Sequence, residues 1–348
     1  MSVQANEEAP SGEAELAGLI ADSQELTGLI GEVRSRLAGR WAGEPSLLAR
    51  MCAHALTPPG KLFRPILLLE SALAVGGDPR WALPAAVGAE SGHVASLVHD
   101  DIIDGDDTRR GRPAVHAAFG VGDAIVAADA LIFDLFAGLA ECHAEGAPAE
   151  RVVAALAVVS RCGVDLCRGQ SLETEFCAGG RFDHETYLHM VRLKTAALFR
   201  AACECGALLA GGDLRHVRAL GRYAEHLGVA FQIRDDLLPY TGSAAEVGKP
   251  DTSDVRNGRL TLPVIIAHQA SGAAGRAVIE AALSGSGDPA TARADLLDVL
   301  RGTGALTATA DWARRYLRFA LTALHALPIS ASRARLGGYA EAAIGRDR

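Results

Sequence analysis

Apolar residues recur every three to four positions along most of this chain, and segments in which apolar and polar residues alternate are nearly absent. One such stripe consists of Leu26, Ile30, Val33 and Leu37. Residues at this spacing share one face of an α-helix. Glycine pairs, such as the one at residues 76–77, separate the stripes. The pattern predicts an all-α protein with about ten helices or more.

The composition supports helices over sheets. Hydrophobic residues make up 49% of the 348 residues, whereas aromatic residues make up only 5%. Alanine, leucine and valine must therefore fill the core, and these side chains suit closely packed helices better than a β-sandwich. No linker or solenoid repeat divides the chain. We expect one domain over residues 15–348, preceded by a mobile acidic tail over residues 1–14.

Charge and cysteine usage limit the possible partners and compartment. The formal net charge is −8, which argues against a nucleic acid as partner. The seven cysteines form no C-x-x-C pair, so we expect a reduced, cytoplasmic protein. No signal peptide is visible, and Asp123, Asp129 and Asp134 interrupt a long apolar tract. We therefore expect no membrane span.

Two acidic clusters lie within helical patterns. Asp100 and Asp104 are one helical turn apart and share a face, with Asp101 beside them, and Asp235 and Asp236 form the second cluster. Apolar residues flank both clusters, and buried carboxylates need a compensating charge. Oxygen-only ligands favour a hard cation such as Mg²⁺, and no zinc-type spacing is present. For either cluster alone, a solvated polar face is the alternative.

Several short basic segments could bind an anionic ligand in this acidic protein. Each is weak evidence alone, because paired basic residues are usually surface charge. The residues concerned are Lys61, Arg64, Arg109, Arg110, Lys194 and Lys249.

Taken in order, these segments resemble the trans-prenyltransferases of the polyprenyl synthetase family, and most closely its geranylgeranyl diphosphate synthases. The central motif is SLVHDDIIDGDDTRRGRP at residues 96–113. GQSLE from Gly169, RLKTAALF from Arg192, FQIRDD from Phe231 and GKPDTSDVRNGRLTLP from Gly248 follow in the family's order. The resemblance extends over most of the chain.

The resemblance implies an isoprenoid synthase fold, in which antiparallel helices surround a deep central cavity, and a homodimer. It also implies head-to-tail condensation of isopentenyl diphosphate with an allylic diphosphate, dependent on three Mg²⁺ ions. By the family pattern, the metal ligands are Asp100, Asp104 and Asp235, supported by Asp101 and Asp236. The allylic diphosphate would contact Arg109, Lys194 and Lys249. Isopentenyl diphosphate would contact Lys61, Arg64, His93 and Arg110, and Thr195 and Gln232 would face the carbocation.

Four positions depart from the family pattern. They are Leu62, where a third basic residue is common, Arg259, which replaces a frequent lysine, Glu173, where aspartate is usual, and Pro239, where the second motif usually ends in aspartate. The proline offers no side-chain oxygen. We expect activity to persist, and a weakly active regulatory subunit is the alternative. A terpene cyclase fits less well, because FQIRDD replaces the cyclases' metal-binding triad.

Small residues precede the first acidic motif. Steps of four from Asp100 reach Ser96, Gly92 and Gly88, and Ala95 lies beside them. If these residues line the cavity, they leave room for a growing isoprenoid chain, which favours a C20 product over C15. A longer product of C25–C40 is the alternative, because the cavity floor, for which Phe133 and Phe136 of another helix are candidates, is not fixed by sequence. Close helix packing is the other explanation of the small residues.

Overall fold

The computed structural model describes residues 12–180, 182–241, 259–285 and 288–345. The chain is nearly all helical there, as predicted. The α-helices are α1 (Gly12–Ala21), α2 (Gln24–Arg40), α3 (Leu47–Leu56), α4 (Phe63–Ala74), α5 (Leu83–Asp104), α6 (Val115–Phe119), α7 (Val121–Glu141), α8 (Ala149–Ala178), α9 (His184–Val191), α10 (Ala197–Leu209), α11 (Leu214–Thr241), α12 (Leu262–Ala270), α13 (Ala273–Leu283), α14 (Pro289–Gly302), α15 (Ala305–Ala323) and α16 (Ala331–Ile344). Short 3₁₀ turns occupy Pro79–Ala82 and Leu324–Ala326, and a π-helical turn occupies Arg192–Ala196.

A small β-hairpin follows α5, and it was not predicted. Its strands are β1 (Thr108–Arg109) and β2 (Arg112–Pro113), which pair antiparallel with Arg109 opposite Arg112. The two residues between the strands, Arg110 and Gly111, both have positive φ, of 52° and 72°. A two-residue hairpin turn of the I′ type requires this backbone conformation.

The core consists mainly of leucine, alanine and valine, as the composition predicted. Leu67, Leu131 and Leu220 come from three different helices and are fully buried. Burial of each such side chain contributes roughly 1.5–3 kcal/mol. The main apolar cluster shares Phe231 with a second one around α9 and α12, so the described helices form one continuous core.

The N-terminal boundary differs from the prediction. α1 begins at Gly12, inside the segment predicted as a tail, and α1 packs against α16 near the other end of the chain. The rest of the predicted tail, residues 1–11, lies outside the described residues. Among the described helices, none combines the length and apolar character needed to cross a bilayer.

Local signals determine where the helices around the main cavity begin and end. The carboxylate of Asp183 caps α9 by accepting from the backbone N–H of Glu185 at 3.0 Å and of Thr186 at 3.1 Å. A cap of this kind contributes about 1 kcal/mol. α5 ends at Asp104 because the next residue, Gly105, has a φ of 66°, which glycine adopts without strain.

Candidate active site

Helices α5, α8, α9 and α11 surround a cavity of about 400 Å³. Eleven of the predicted site residues line it: Arg64, His93, Ser96, Asp100, Asp104, Arg109, Lys194, Thr195, Gln232, Asp235 and Asp236. Apolar side chains complete the wall, among them Leu97, Phe176, Met190, Leu198 and Phe231. The cavity therefore joins a charged region with an apolar one.

Lys194 and Thr195 lie in the π-helical turn between α9 and α10. Two glycines let neighbouring helices contact this turn directly. A Cβ atom on Gly169 of α8 would lie 2.5 Å from the Lys194 backbone nitrogen, and one on Gly228 of α11 would lie 2.6 Å from Cα of Ala196. Because a π turn is wider than an α-helical turn, two consecutive side chains can face the cavity.

Asp100 and Asp104 face the cavity from the last turn of α5. The Lys194 ammonium lies 3.8 Å from Oδ1 of Asp100 and donates to Oε2 of Glu173 at 2.5 Å. The Arg259 guanidinium forms an ion pair with Asp104. Burial raises the pKa of Asp100, and Lys194 partly opposes this rise. The carboxylate thus lies in a place where added positive charge is favourable.

Asp101 lies on a different face of α5 and does not line the main cavity. It is buried, and both of its oxygens accept from Nε of Arg109, at 2.9 and 3.2 Å. Paired Arg–carboxylate hydrogen bonds of this kind fix orientation as well as charge. Asp101 therefore holds Arg109 at the cavity wall.

In the second acidic cluster, Asp235 faces the cavity and Asp236 is tied to the protein. Burial, together with the neighbouring Asp236 carboxylate, raises the pKa of Asp235 to about 7. Asp236 accepts from the Tyr187 hydroxyl at 2.5 Å, from Nε2 of Gln232 at 2.9 Å and from the Leu262 amide at 3.3 Å. These three donors occupy both Asp236 oxygens, so Asp236 positions its neighbours.

A hydrogen-bond chain extends from this cluster to the π turn. The Thr195 hydroxyl donates to Oε1 of Gln232 at 2.8 Å, and Gln232 in turn donates to Asp236. The chain orients the Gln232 amide toward Thr195. Both polar side chains are thereby held at fixed positions beside the apolar wall.

The acidic residues fit Mg²⁺ by their chemistry. All the candidate ligands are carboxylates, and within the described ranges no three metal-binding side chains converge on one point. Mg²⁺ is commonly bound by one or two carboxylates together with water and substrate phosphates. Burial raises the pKa values of Asp100 and Asp235 and so disfavours their charged forms, which a bound cation would favour.

A second basic group lies toward the start of α4. The Arg64 guanidinium stacks over the Phe199 ring, 4.7 Å from its centroid. Burial and the nearby arginines, chiefly Arg64, hold the pKa of His93 well below its usual value, so the imidazole is neutral. Its Nδ1 atom is buried and has no hydrogen-bond partner in the described part of the chain. This side chain can therefore still contact a ligand.

The model of the family described as polyprenyl synthetase matches residues 45–297. The short chain isoprenyl diphosphate synthase of Methanothermobacter thermautotrophicus is 37% identical over 87% of this chain and 91% of its own length. For the geranylgeranyl pyrophosphate synthase of Geoglobus acetivorans, the identity is 36% over 87% and 92%. The chain belongs to the polyprenyl synthetase family.

Solved structures agree with this assignment. The geranylgeranyl pyrophosphate synthetase of Pyrococcus horikoshii superposes with a TM-score of 0.84 at 31% identity, covering 96% of this chain and 99% of that one. A geranylgeranyl pyrophosphate synthase of Corynebacterium glutamicum, complexed with isoprenyl diphosphate and magnesium, superposes with a TM-score of 0.79 at 27% identity, over 97% and 98%. The resemblance read from the sequence is confirmed, and this polyprenyl synthetase is a prenyltransferase that condenses isoprenyl diphosphates.

The prediction that this face of α5 lines the cavity is wrong in part. Ser96 does line it, but Ala95 is fully buried in the core. Gly88 and Gly92 lie against α7: a Cβ atom on Gly88 would lie 2.9 Å from the Leu135 carbonyl oxygen, and one on Gly92 would overlap the Leu135 side chain. Close helix packing explains these glycines.

Helix geometry accounts for the error. Four residues turn an α-helix by about 40° more than a full turn, so three such steps from Asp100 end about 120° away. Ala89 and Ala85 instead line a second, smaller void, and Arg64 and Leu198 border both this void and the main cavity. Phe133 is largely exposed at the protein surface, so it does not form the floor of the cavity.

Lys61 is exposed beside α4, and Arg110 lies in the hairpin turn. Lys249 lies outside the described residues. Pro239 does not end its helix, because α11 continues to Thr241, and the Pro239 carbonyl accepts from Arg293 at 3.1 Å.

Tyr187 and Arg259 are among the site residues that were missed as participants. Tyr187 contacts Asp236, 49 positions later, and no local pattern announces such a pair. Arg259 was noted only as a departure from the family pattern, although it contacts Asp104. Its position within the last basic motif was the available signal.

Proposed function

We propose that this polyprenyl synthetase makes geranylgeranyl diphosphate (C20) from isopentenyl diphosphate and an allylic diphosphate in a Mg²⁺-dependent reaction. One observation carries the proposal. Asp100 and Asp104 of α5 and Asp235 of α11 line the same cavity, whose wall also includes apolar side chains such as Leu97, Met190 and Phe231. Such a cavity offers a charged region for a diphosphate and an apolar region for an isoprenoid chain.

Asp100, Asp104 and Asp235 would hold the metal ions. When bound, Mg²⁺ supplies positive charge that stabilises the departing diphosphate. Lys194 contacts Asp100 and faces the cavity, so its ammonium can bind the same allylic diphosphate. Arg109, held by Asp101, belongs to the same group, and the resemblance to the family adds Lys249 to it. These charges act most strongly when the allylic C–O bond breaks, because negative charge then develops on the leaving oxygen.

The cavity wall must protect the allylic carbocation from water. Leu97, Met190 and Phe231 provide apolar surface there. Thr195 and Gln232 are bonded to each other, which restrains their polar atoms beside the reacting carbons. Exclusion of water leaves the double bond of isopentenyl diphosphate as the available nucleophile.

Isopentenyl diphosphate would bind at the second basic group. Arg64 and His93 line the cavity, and Lys61 and Arg110 extend from the two loops beside it. A neutral His93 can donate one hydrogen bond to a diphosphate oxygen. The proton lost after condensation can pass to the released diphosphate, so no protein base is needed.

The smaller void supports a product longer than C15. It lies between α5, α7, α8 and α10, and its α5 wall consists of alanines. Leu135 and Leu139 of α7 border it and limit its depth. We therefore favour C20 over C25–C40.

We also propose a homodimer. Several large apolar side chains of α7 are exposed in the monomer, and Phe133 is the most exposed of them, at 73%. The others are Val121, Ile125 and Val126. Exposure of several large apolar side chains on one helix favours a protein interface there.

The test is incubation of the purified protein with Mg²⁺, labelled isopentenyl diphosphate and each allylic primer, with products sized after phosphatase treatment. We expect C20 product, and no product with EDTA. Products of C25–C40 would identify a longer-chain synthase. No turnover, with altered turnover of a second synthase on mixing, would identify a regulatory subunit. Hydrocarbon formed without isopentenyl diphosphate would identify a cyclase.

A further inference from the structure

Two loops carry Lys61 and Arg110, two of the residues proposed to bind isopentenyl diphosphate, and both loops contain a strained backbone. Leu62, in the loop between α3 and α4, has a φ of 54°, and Arg110, in the β1–β2 hairpin, has a φ of 52°. Within the described ranges they are the only non-glycine residues with positive φ. Such conformations persist only where surrounding contacts hold them. The contacts that hold these two loops therefore matter to the site.

Side chains of one loop bond to the backbone of the other. The Arg112 guanidinium donates to the Thr57 carbonyl and, at 3.0 Å, to Nδ1 of His54. The other imidazole nitrogen of His54 lies 2.8 Å from the Pro113 carbonyl. His54 and Arg112 thus join α3 and the loop that follows it to strand β2.

The chemistry of arginine fixes the tautomer of His54. A guanidinium carries only donors and stays protonated, so Nδ1 of His54 must be the acceptor of the Arg112 hydrogen bond. The proton of the neutral ring is therefore on Nε2, which donates to the Pro113 carbonyl. The His54 imidazole thus accepts a hydrogen bond from Arg112 through Nδ1 and donates one to the Pro113 carbonyl through Nε2.

Arg110 is the side chain that this connection positions. Its Nη1 donates to the Pro58 carbonyl at 3.1 Å, and its guanidinium lies over Gly60, where a Cβ atom would be only 2.5 Å from Nη2. Both backbone contacts belong to the α3–α4 loop. A displacement of the hairpin from this loop would therefore move Arg110. Arg109 is less dependent on the loop, because Asp101 holds it.

We propose that His54 and Arg112 are positioning residues that lock the hairpin to the α3–α4 loop and thereby place Arg110 for the diphosphate of isopentenyl diphosphate. The proposal rests on the function proposed above. The polar atoms of His54 and Arg112 are engaged by each other and by backbone carbonyls, so neither side chain is expected to touch substrate. Their effect is on binding of one substrate.

The test uses His54→Phe, which keeps a ring at 5.4 Å from Phe119 but removes both hydrogen bonds, and Arg112→Lys, which keeps the charge but loses the two-pronged donor. We expect the KM for isopentenyl diphosphate to rise about tenfold, as for loss of one charged hydrogen bond. The KM for the allylic primer and kcat at saturation should stay unchanged. The control is Arg50→Gln on α3, which removes a 3.3 Å bond to the Pro45 carbonyl and should change neither KM.

Two outcomes would contradict the positioning role of His54 and Arg112. Equal rises in both KM values, or a lower melting temperature with unchanged KM values, would show a general structural role. For a variant that does not fold, nitrogen NMR of the wild-type protein gives a second test: Nε2 of His54 should carry the proton, and a proton on Nδ1 contradicts the geometry.

Calorimetry of isopentenyl diphosphate binding, without primer, separates this proposal from the proposed function. Weaker binding by both variants supports the positioning role of His54 and Arg112. If the wild-type protein also makes no product, only the proposed function fails. Unchanged binding by both variants, with normal condensation by the wild-type protein, rejects the positioning role and leaves the proposed function intact.

Discussion

The Tyr187 hydroxyl donates to Oδ2 of Asp236 at 2.5 Å and so joins α9 to α11 at the cavity wall. Asp236 also binds Gln232 and the Leu262 amide. The start of α12, the middle of α9 and the second acidic cluster therefore meet at one carboxylate. Asp235, the adjacent residue, lines the cavity next to this junction.

Tyr187→Phe should lower kcat about tenfold, because a buried hydrogen bond to a charged group contributes about 1.5–3 kcal/mol and Asp236 would lose one of its three donors. The measurement is steady-state kinetics together with thermal unfolding. Tyr223→Phe is the matched control, since the Tyr223 hydroxyl donates to the Leu336 carbonyl at 2.6 Å in the core. It should lower the melting temperature only. Equal kinetic effects of the two variants would contradict a role for Tyr187 in the site.

Removal of a proposed metal ligand should abolish turnover without unfolding the protein. Asp100→Ala, Asp104→Ala and Asp235→Ala should each lower kcat by about 10³ or more, a loss of about 4 kcal/mol of transition-state stabilisation. EDTA should stop the wild-type reaction and Mg²⁺ restore it. Asp298→Asn, at an exposed position on α14, is the control. Near-normal turnover of all three alanine variants would remove the metal assignment.

The two substrates should respond to different basic residues. Arg64→Ala and His93→Ala should mainly raise the KM for isopentenyl diphosphate, because both side chains belong to the second basic group. Lys194→Ala should mainly impair use of the allylic primer, because its ammonium lies beside Asp100. Kinetics with each substrate varied in turn distinguishes these effects. Identical defects in all three variants would show that the two diphosphate sites are not separate.

Product length should depend on the face of α5 that lines the cavity. Ser96→Phe, one turn or about 5.4 Å from Asp100, should shorten the product toward C15 or C10, and Ala89→Phe should shorten it less. Gly88→Ala is the contrast: its Cβ meets the α7 backbone, so it should destabilise the protein by about 1–3 kcal/mol with the product unchanged. Product sizing and thermal unfolding of the same variants test this. A normal product from Ser96→Phe would remove this face from the wall.

Pro239→Asp should leave turnover within about tenfold, or 1.4 kcal/mol. The wild-type proline has no side-chain oxygen, so the metal site cannot depend on position 239. Turnover is the measurement, with the wild type as reference. Activity appearing only in the aspartate variant would mean that the natural chain is a degenerate subunit.

Local patterns predicted the helices and the charged residues well, because helical periodicity and i, i+4 spacing are properties of neighbouring residues. Asp100 and Asp104 could be found in this way, whereas Lys194 took its role only from the resemblance to the family. The direction of α5 over several turns could not, since small errors in rotation accumulate from Asp100 to Gly88. Contacts between distant segments, such as Tyr187 with Asp236, depend on how helices pack, which a single sequence does not display.

The π turn at Arg192–Ala196 amounts to one extra residue within an otherwise continuous rod from α9 to α10. Removal of that residue would rotate everything after it by about 100°. The buried face of α10, which includes Phe199 and Leu209, would then point away from the core. The number of residues between Tyr187 and Phe199 is therefore constrained at both ends. Tyr187 must reach Asp236, and Phe199 must pack in the core. Insertions and deletions in this segment should be far less tolerated than substitutions.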